Sequence, residues 1–163
     1  VAALRPRLVA FAYSLTRDRE EAADLAQETM ARALGAAWRF TPGTNLKAWL
    51  FRILRNLHLN RARQAARMPA AMSVEELPVE LAAAGRALRS AEHEAALKAD
   101  LAEVVAALRS LPAAFAIPLQ LTAIEELSYA ETAEVLGIPV GTVMSRVHRG
   151  RRLLLARLAV DVR

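Results

Sequence analysis

The chain has 163 residues, no cysteine, and 22 Lys and Arg against 17 Asp and Glu, a formal net charge of +5. That length suits one ordinary domain or two small ones. The missing cysteine excludes disulfides, thiolate metal sites and a cysteine nucleophile, and it suits a reducing cytosol. Apolar residues make up 55%, much of it alanine, with only four Phe, two Trp and two Tyr, so good helix formers dominate and an all-α fold is expected.

Leu4, Leu8, Phe11 and Leu15 recur at helical spacing and predict a first amphipathic helix over about 4–15, in place of a leader segment. Asp18 is placed to cap a second helix, with Glu21 in capping-box register, and Ala22, Ala26, Met30 and Ala33 on its inner side out to about residue 37. Thr41-Pro42-Gly43-Thr44-Asn45 is a loop by composition. Thr44 or Asn45 can cap a third helix from 46 to about 63. On it Leu46, Leu50, Ile53 and Leu57 form an apolar face, and Trp49, Arg52, Asn56, Asn60 and Arg63 form an adjoining stripe. A Trp set beside Arg and Asn is better explained by a surface that stacks on bases and holds phosphates than by core packing alone.

Residues 66–90, with Met68-Pro69, Pro78 and Gly85, read as a linker. A helical pattern returns over 91–110 through Leu97, Leu101, Val104, Val105 and Leu108, and Pro112 ends it. Another helix is expected over about 114–124. The uncharged run 111–124 contains Pro112 and Pro118 and is too short to span a bilayer. The division expected is therefore a helical domain over 1–65, a linker over 66–90 and a second helical domain over 91–163.

The sharpest local signal lies at 128–158. Ser128 and Glu131 form a capping box, while Ala133, Gly137 and Val143 stand at helix-turn-helix offsets. In the last helix Val143, Val147, Gly150 and Leu154 share one face. Ser145, His148, Arg149 and Arg152 share the opposite one, as in a recognition helix with packing residues inside and donors outside. His148 has no carboxylate or second His at metal spacing, and no metal site is expected.

Charge is unevenly spread. No acid lies between Glu28 and Glu75, an interval with eight Lys and Arg, and none lies between Glu134 and Asp161, an interval with five Arg. Two basic blocks around an acidic middle suggest two surfaces for a polyanion. No phosphate-binding loop, zinc-protease or hydrolase motif is present, so neither an enzyme nor a cofactor is expected.

Asp24-Leu25-Ala26-Gln27-Glu28-Thr29 and the stretch 40–56, FTPGTNLKAWLFRILRN, resemble region 2 of the extracytoplasmic-function sigma factors. Leu111-Pro112, the stretch 127–133, LSYAETA, and the stretch 141–147, GTVMSRV, resemble region 4. The match runs in order over nearly the whole chain, and residues 43–49 are similar to general-stress and thiol-stress subgroups.

The resemblance implies a cytoplasmic protein, on the nucleoid when polymerase-bound, that brings RNA polymerase core to promoters and melts them. Asp24, Gln27 and Glu28 would meet the β′ clamp helices, and the second domain the β flap. Phe40, the loop 41–45 with Thr44 and Asn45, and Asn56 would accept a base flipped from the −10 element, Trp49, Arg52 and Arg63 would hold the separating strands, and Asn60 would belong to the same −10 surface. Ser145, Arg146, His148, Arg149 and Arg152 would face the −35 element. An anti-sigma protein is an expected partner, and membrane insertion is not expected. Met144 departs from the family's usual Lys or Arg, and Asn60 from its common Asp. The competing readings are a dimeric operator-binding regulator that uses only the helix-turn-helix, and a sigma mimic that only sequesters an anti-sigma protein.

Overall fold

The structure is a computed structural model that describes residues 2–67 and 102–161. The expected linker, apart from a turn at 66–67, and the part of the 91–110 helix holding Leu97 and Leu101 lie outside those residues. Among the described residues every regular element is helical. After a 3₁₀ turn at Ala2–Leu4 come α1 (Arg5–Thr16), α2 (Arg19–Gly35), a second 3₁₀ turn at Ala37–Arg39 and α3 (Leu46–Ala65). Then come α4 (102–110), α5 (Ala113–Leu119), a π turn at Gln120–Ile124, α6 (Tyr129–Leu136) and α7 (Val140–Asp161). The chain divides into two compact units, the first carrying α1–α3 and the second α4, α5, α7 and the N-terminal part of α6.

In the first unit, α1 ends at Arg17, whose left-handed backbone (φ 59°) lets its N–H bond the Tyr13 carbonyl at 2.9 Å. Asp18 then caps α2, its Oδ1 accepting from the Glu21 N–H at 2.7 Å, while Thr16 Oγ1 accepts the Asp18 N–H at 3.3 Å. The core is Leu8, Phe11 and Ala12 from α1, Ala22, Leu25, Ala26 and Ala33 from α2, and Leu50, Phe51, Leu54 and Leu57 from α3. The rings of Phe11 and Phe51 lie 4.9 Å apart. Buried Thr29 meets no cost as a polar group, because its hydroxyl donates to the Leu25 carbonyl at 2.7 Å.

The buried arc of α3 is rotated from the expected face. Phe51 and Leu54 are buried, while Leu46 and Ile53 are only half-buried. The reason is that α3 packs against both α1 and α2, and two neighbours cover a wider arc than one apolar stripe. On α2, likewise, Met30 is half-buried and Leu25 and Thr29 are buried with the alanines.

The second unit is built on Leu111, Ala116, Leu119, Ala133, Val143 and Val147, flanked by Leu108, Ile138, Leu153 and Leu154. α5 stops being regular where Pro118 removes a backbone donor. The chain then rewinds to a π turn, with the Glu125 N–H on the Gln120 carbonyl at 3.1 Å. The Ser128 box closes in both directions, Glu131 N–H to Ser128 Oγ at 3.1 Å and Ser128 N–H to Glu131 Oε2 at 2.8 Å. Gly137 takes a positive φ of 60°, and Pro139 receives the N–H groups of Thr142 and Val143 at 3.0 and 3.1 Å to open α7. No described helix is long and apolar enough to cross a membrane.

Candidate nucleic-acid interface

On α3, the polar stripe adjoining the core stays outside it. Arg52, Asn56, Asn60 and Arg63 are exposed, and Trp49 is half-buried with its ring 5.4 Å from that of Phe40. That pair fixes the start of the 41–45 loop to the first turn of the helix. The loop closes on itself, Thr44 Oγ1 donating to the Thr41 carbonyl at 2.7 Å and Gly43 taking φ 88°. Asn45 is the helix cap. Its Oδ1 accepts from the N–H groups of Lys47 and Ala48 at 3.1 and 3.3 Å, so the side-chain amide alone remains for another partner.

On α2, Glu20, Asp24, Gln27, Ala31 and Leu34 share one exposed stripe. Glu28 does not belong to it. Its carboxylate is half-buried between Arg61 of α3 (2.6 Å) and Arg32 (2.8 Å). The hydrogen bond from Arg61, with Arg32 beside it, holds this carboxyl below its ordinary range against a smaller opposing effect of burial. Sequence reasoning missed Leu34 and Trp38, which are 65% and 77% exposed. Leu34 was findable, since positions 24, 27, 31 and 34 recur at helical spacing. The Arg39 guanidinium lies 4.8 Å over the Trp38 ring.

On α7, Val143, Val147 and Gly150 are buried and Leu154 is half-buried. Ser145, His148, Arg149 and Arg152 are exposed on the opposite side, Arg146 is half-buried, and Met144 is 51% exposed. The Ser145 hydroxyl donates to the Thr142 carbonyl at 3.0 Å, which leaves its lone pairs outward. Gly150 marks a close helix approach, because a Cβ there would sit 3.2 Å from the Phe115 carbonyl oxygen of α5. The Arg149 guanidinium lies 5.4 Å over the Phe115 ring. Among the described residues no group of His, Asp and Glu could hold a metal ion.

Both units match one family. The Sigma-70 region 2 pattern matches residues 1–68, and the Sigma-70, region 4 pattern matches residues 101–154. The ECF RNA polymerase sigma factor EcfG of Rhodopseudomonas palustris is 40% identical over 156 residues, covering 96% of this chain and 81% of that protein. This chain belongs to the ECF RNA polymerase sigma factors. The sigma factor SigE of Mycolicibacterium smegmatis is 38% identical over 156 residues, 94% of this chain and 58% of that longer protein. Similar solved structures include two complexes. The sigma factor RpoE, in complex with the anti-sigma factor NepR from Bartonella quintana, has a TM-score of 0.74 at 32% identity, covering 98% of this chain and 94% of that one. CnrH in complex with the cytosolic domain of CnrY has a TM-score of 0.60 at 29% identity, covering 99% and 86%. As a sigma factor the chain is a transcription initiation factor and not an enzyme.

Proposed function

We propose that the exposed α2 stripe docks on RNA polymerase core, that the 40–45 loop and the α3 stripe melt and read the −10 element, and that the outer face of α7 reads the −35 element. The observation that carries this is the outward polar stripe on α3. Arg52, Asn56, Asn60 and Arg63 face solvent beside a half-buried Trp49, in a segment without acids. Arg holds phosphates, Asn offers both donor and acceptor to a base edge, and Trp offers a stacking plane at the strand junction. Asn45 contributes by shaping the loop, since its carbonyl oxygen is already used as the cap.

Asp24 and Gln27 supply the polymerase contact, with Leu34 extending it. Glu28 serves the same surface indirectly, by tying α2 to Arg61 on α3. On α7 the assignment is Arg149 to base reading and Arg152 to phosphate, with Ser145, Arg146 and His148 completing the outer face. By analogy with RpoE and CnrH, whose structures hold NepR and CnrY, an anti-sigma protein is a further partner. The place of action is the cytoplasm, with polymerase on the nucleoid. An operator-binding dimer would leave the α3 stripe without a task, and a sequestering mimic would not need Arg and Asn on it.

The test is permanganate footprinting of the reconstituted holoenzyme on a promoter that it selects from a randomised duplex library. Reactive thymines should open around −10 with the wild-type chain and be lost with Trp49→Ala at unchanged core affinity. Equal opening with Trp49→Ala would remove α3 from the melting step.

A further inference from the structure

Arg149 is exposed, yet its guanidinium has an aromatic neighbour. It lies 5.4 Å from the centroid of Phe115, a half-buried ring on the neighbouring helix α5. Phe115 is itself held in place. Its N–H bonds the Pro112 carbonyl at 2.9 Å, and its carbonyl and Cβ lie 3.2 and 3.4 Å from where a Gly150 side chain would begin. The absent side chain at Gly150 is what lets α5 come close enough for Phe115 to reach the residue next to it on α7. We propose that Phe115 is a positioning residue for −35 recognition, a π face that holds the Arg149 guanidinium on the α5 side of the recognition helix so that its remaining donors meet a guanine. The proposal rests on the reading of Arg149 as the base-contacting residue.

The physical case is that a guanidinium held at a ring by a cation–π contact still has N–H donors for a second partner. A free Arg spreads over many rotamers and must be ordered on binding, at a cost in entropy. An Arg held at the ring has given up part of that freedom before DNA arrives. The same contact restricts where the fork can reach, so a base pair that presents two acceptors in line gains and others do not. Phe115 itself touches no base in this account. The expected consequence is therefore confined to discrimination at the position Arg149 reads. The partner that benefits is a G·C pair, since guanine alone offers two acceptors in the major groove for a bidentate Arg.

The test is transcription by the reconstituted holoenzyme from a panel of single-base −35 variants of the selected promoter, with wild type, Arg149→Ala, Phe115→Leu, Phe115→Tyr and the Phe115→Leu/Arg149→Ala double variant. Leu keeps apolar volume and removes the π face, and Phe115→Met serves as a second such variant if the first does not fold. Phe115→Leu should reduce the preference for the guanine-bearing promoter about two- to fivefold, the size of an exposed cation–π contact. Phe115→Tyr should restore the preference, and the Leu substitution should change nothing further in the Arg149→Ala background. If Arg149→Ala leaves the preference unaltered, the reading of Arg149 itself falls. If Arg149→Ala flattens it while Phe115→Leu and Phe115→Met do not, or if they lower transcription from every promoter alike, Phe115 is packing only and the proposal is overturned.

Discussion

Replacing Gly150 by Ala sets two known effects against each other on one helix. In a helix interior the change should stabilise by up to about 1 kcal/mol, because Gly loses more backbone freedom on folding than Ala. Against that, the new Cβ would meet the Phe115 carbonyl oxygen at 3.2 Å and the Phe115 carbonyl carbon at 3.6 Å. These are backbone atoms of α5 and cannot swing aside as the end of a side chain can. The contact relaxes only if α5 shifts by a few tenths of an ångström, and overpacking of that kind costs roughly 1–3 kcal/mol. The contact term is larger, so Gly150→Ala should destabilise by about 0–2 kcal/mol. Gly141 is the matched control on the same helix, since a Cβ there meets nothing within 4 Å. Gly141 lies in the first turn of α7, so Gly141→Ala should be neutral or stabilising by less than the helix-interior value of about 1 kcal/mol. Chemical denaturation of the full chain, followed by circular dichroism, compares the two variants. If Gly150→Ala stabilises the protein, the close α5–α7 approach is not as described, and the support it gives Phe115 goes with it.

Asp18→Ala should cost about 1 kcal/mol in thermal or chemical denaturation, because the Glu21 N–H loses its acceptor. Glu28→Gln should remove a pH-dependent contribution of about 1 kcal/mol or less, given the partial exposure of the pair. The Glu28 carboxyl is held below its ordinary value when folded, so its contribution is full above the unfolded carboxylate range and fades as pH falls through the folded value. Denaturation of both proteins at a series of acidic pH values should show the wild type converging on the variant, and parallel curves would contradict this. Asp24→Lys should weaken binding of core polymerase in a pull-down or anisotropy titration while leaving helicity unchanged, since Asp24 is exposed. Asn56→Ala should slow open-complex formation on duplex promoter DNA, measured by permanganate reactivity, with little change in thermal stability.

What could be read from the chain was whatever repeats locally. The two capping boxes, at Asp18 and Ser128, need only residues three apart, although in the first the Asp18 N–H finds its acceptor in Thr16 Oγ1 and not in Glu21. The inner and outer faces of α7 follow from a single helical period, and burial divides Val143 and Val147 from Ser145, His148, Arg149 and Arg152 as that period requires. The buried arc of α3 was harder, because its width depends on two neighbours whose positions no periodicity states. Glu28 shows the same limit at a candidate site residue. A carboxylate beside Asp24 and Gln27 reads as part of their stripe, yet it is claimed by Arg61, 33 residues away. Phe115 gave no signal of its own. Only the buried glycine on α7 hinted that another element passes there.

The central claim is that this chain gives RNA polymerase core the ability to find and open promoters. Run-off transcription with purified core, on the promoter selected from the randomised duplex library, measures that directly. Core alone should give no specific transcript, adding the chain should give a single start site, and altering the α3 stripe by Trp49→Ala should abolish that transcript. A transcript of equal yield without the chain would contradict that claim, whereas one that persists unchanged with Trp49→Ala would remove α3 from the melting step.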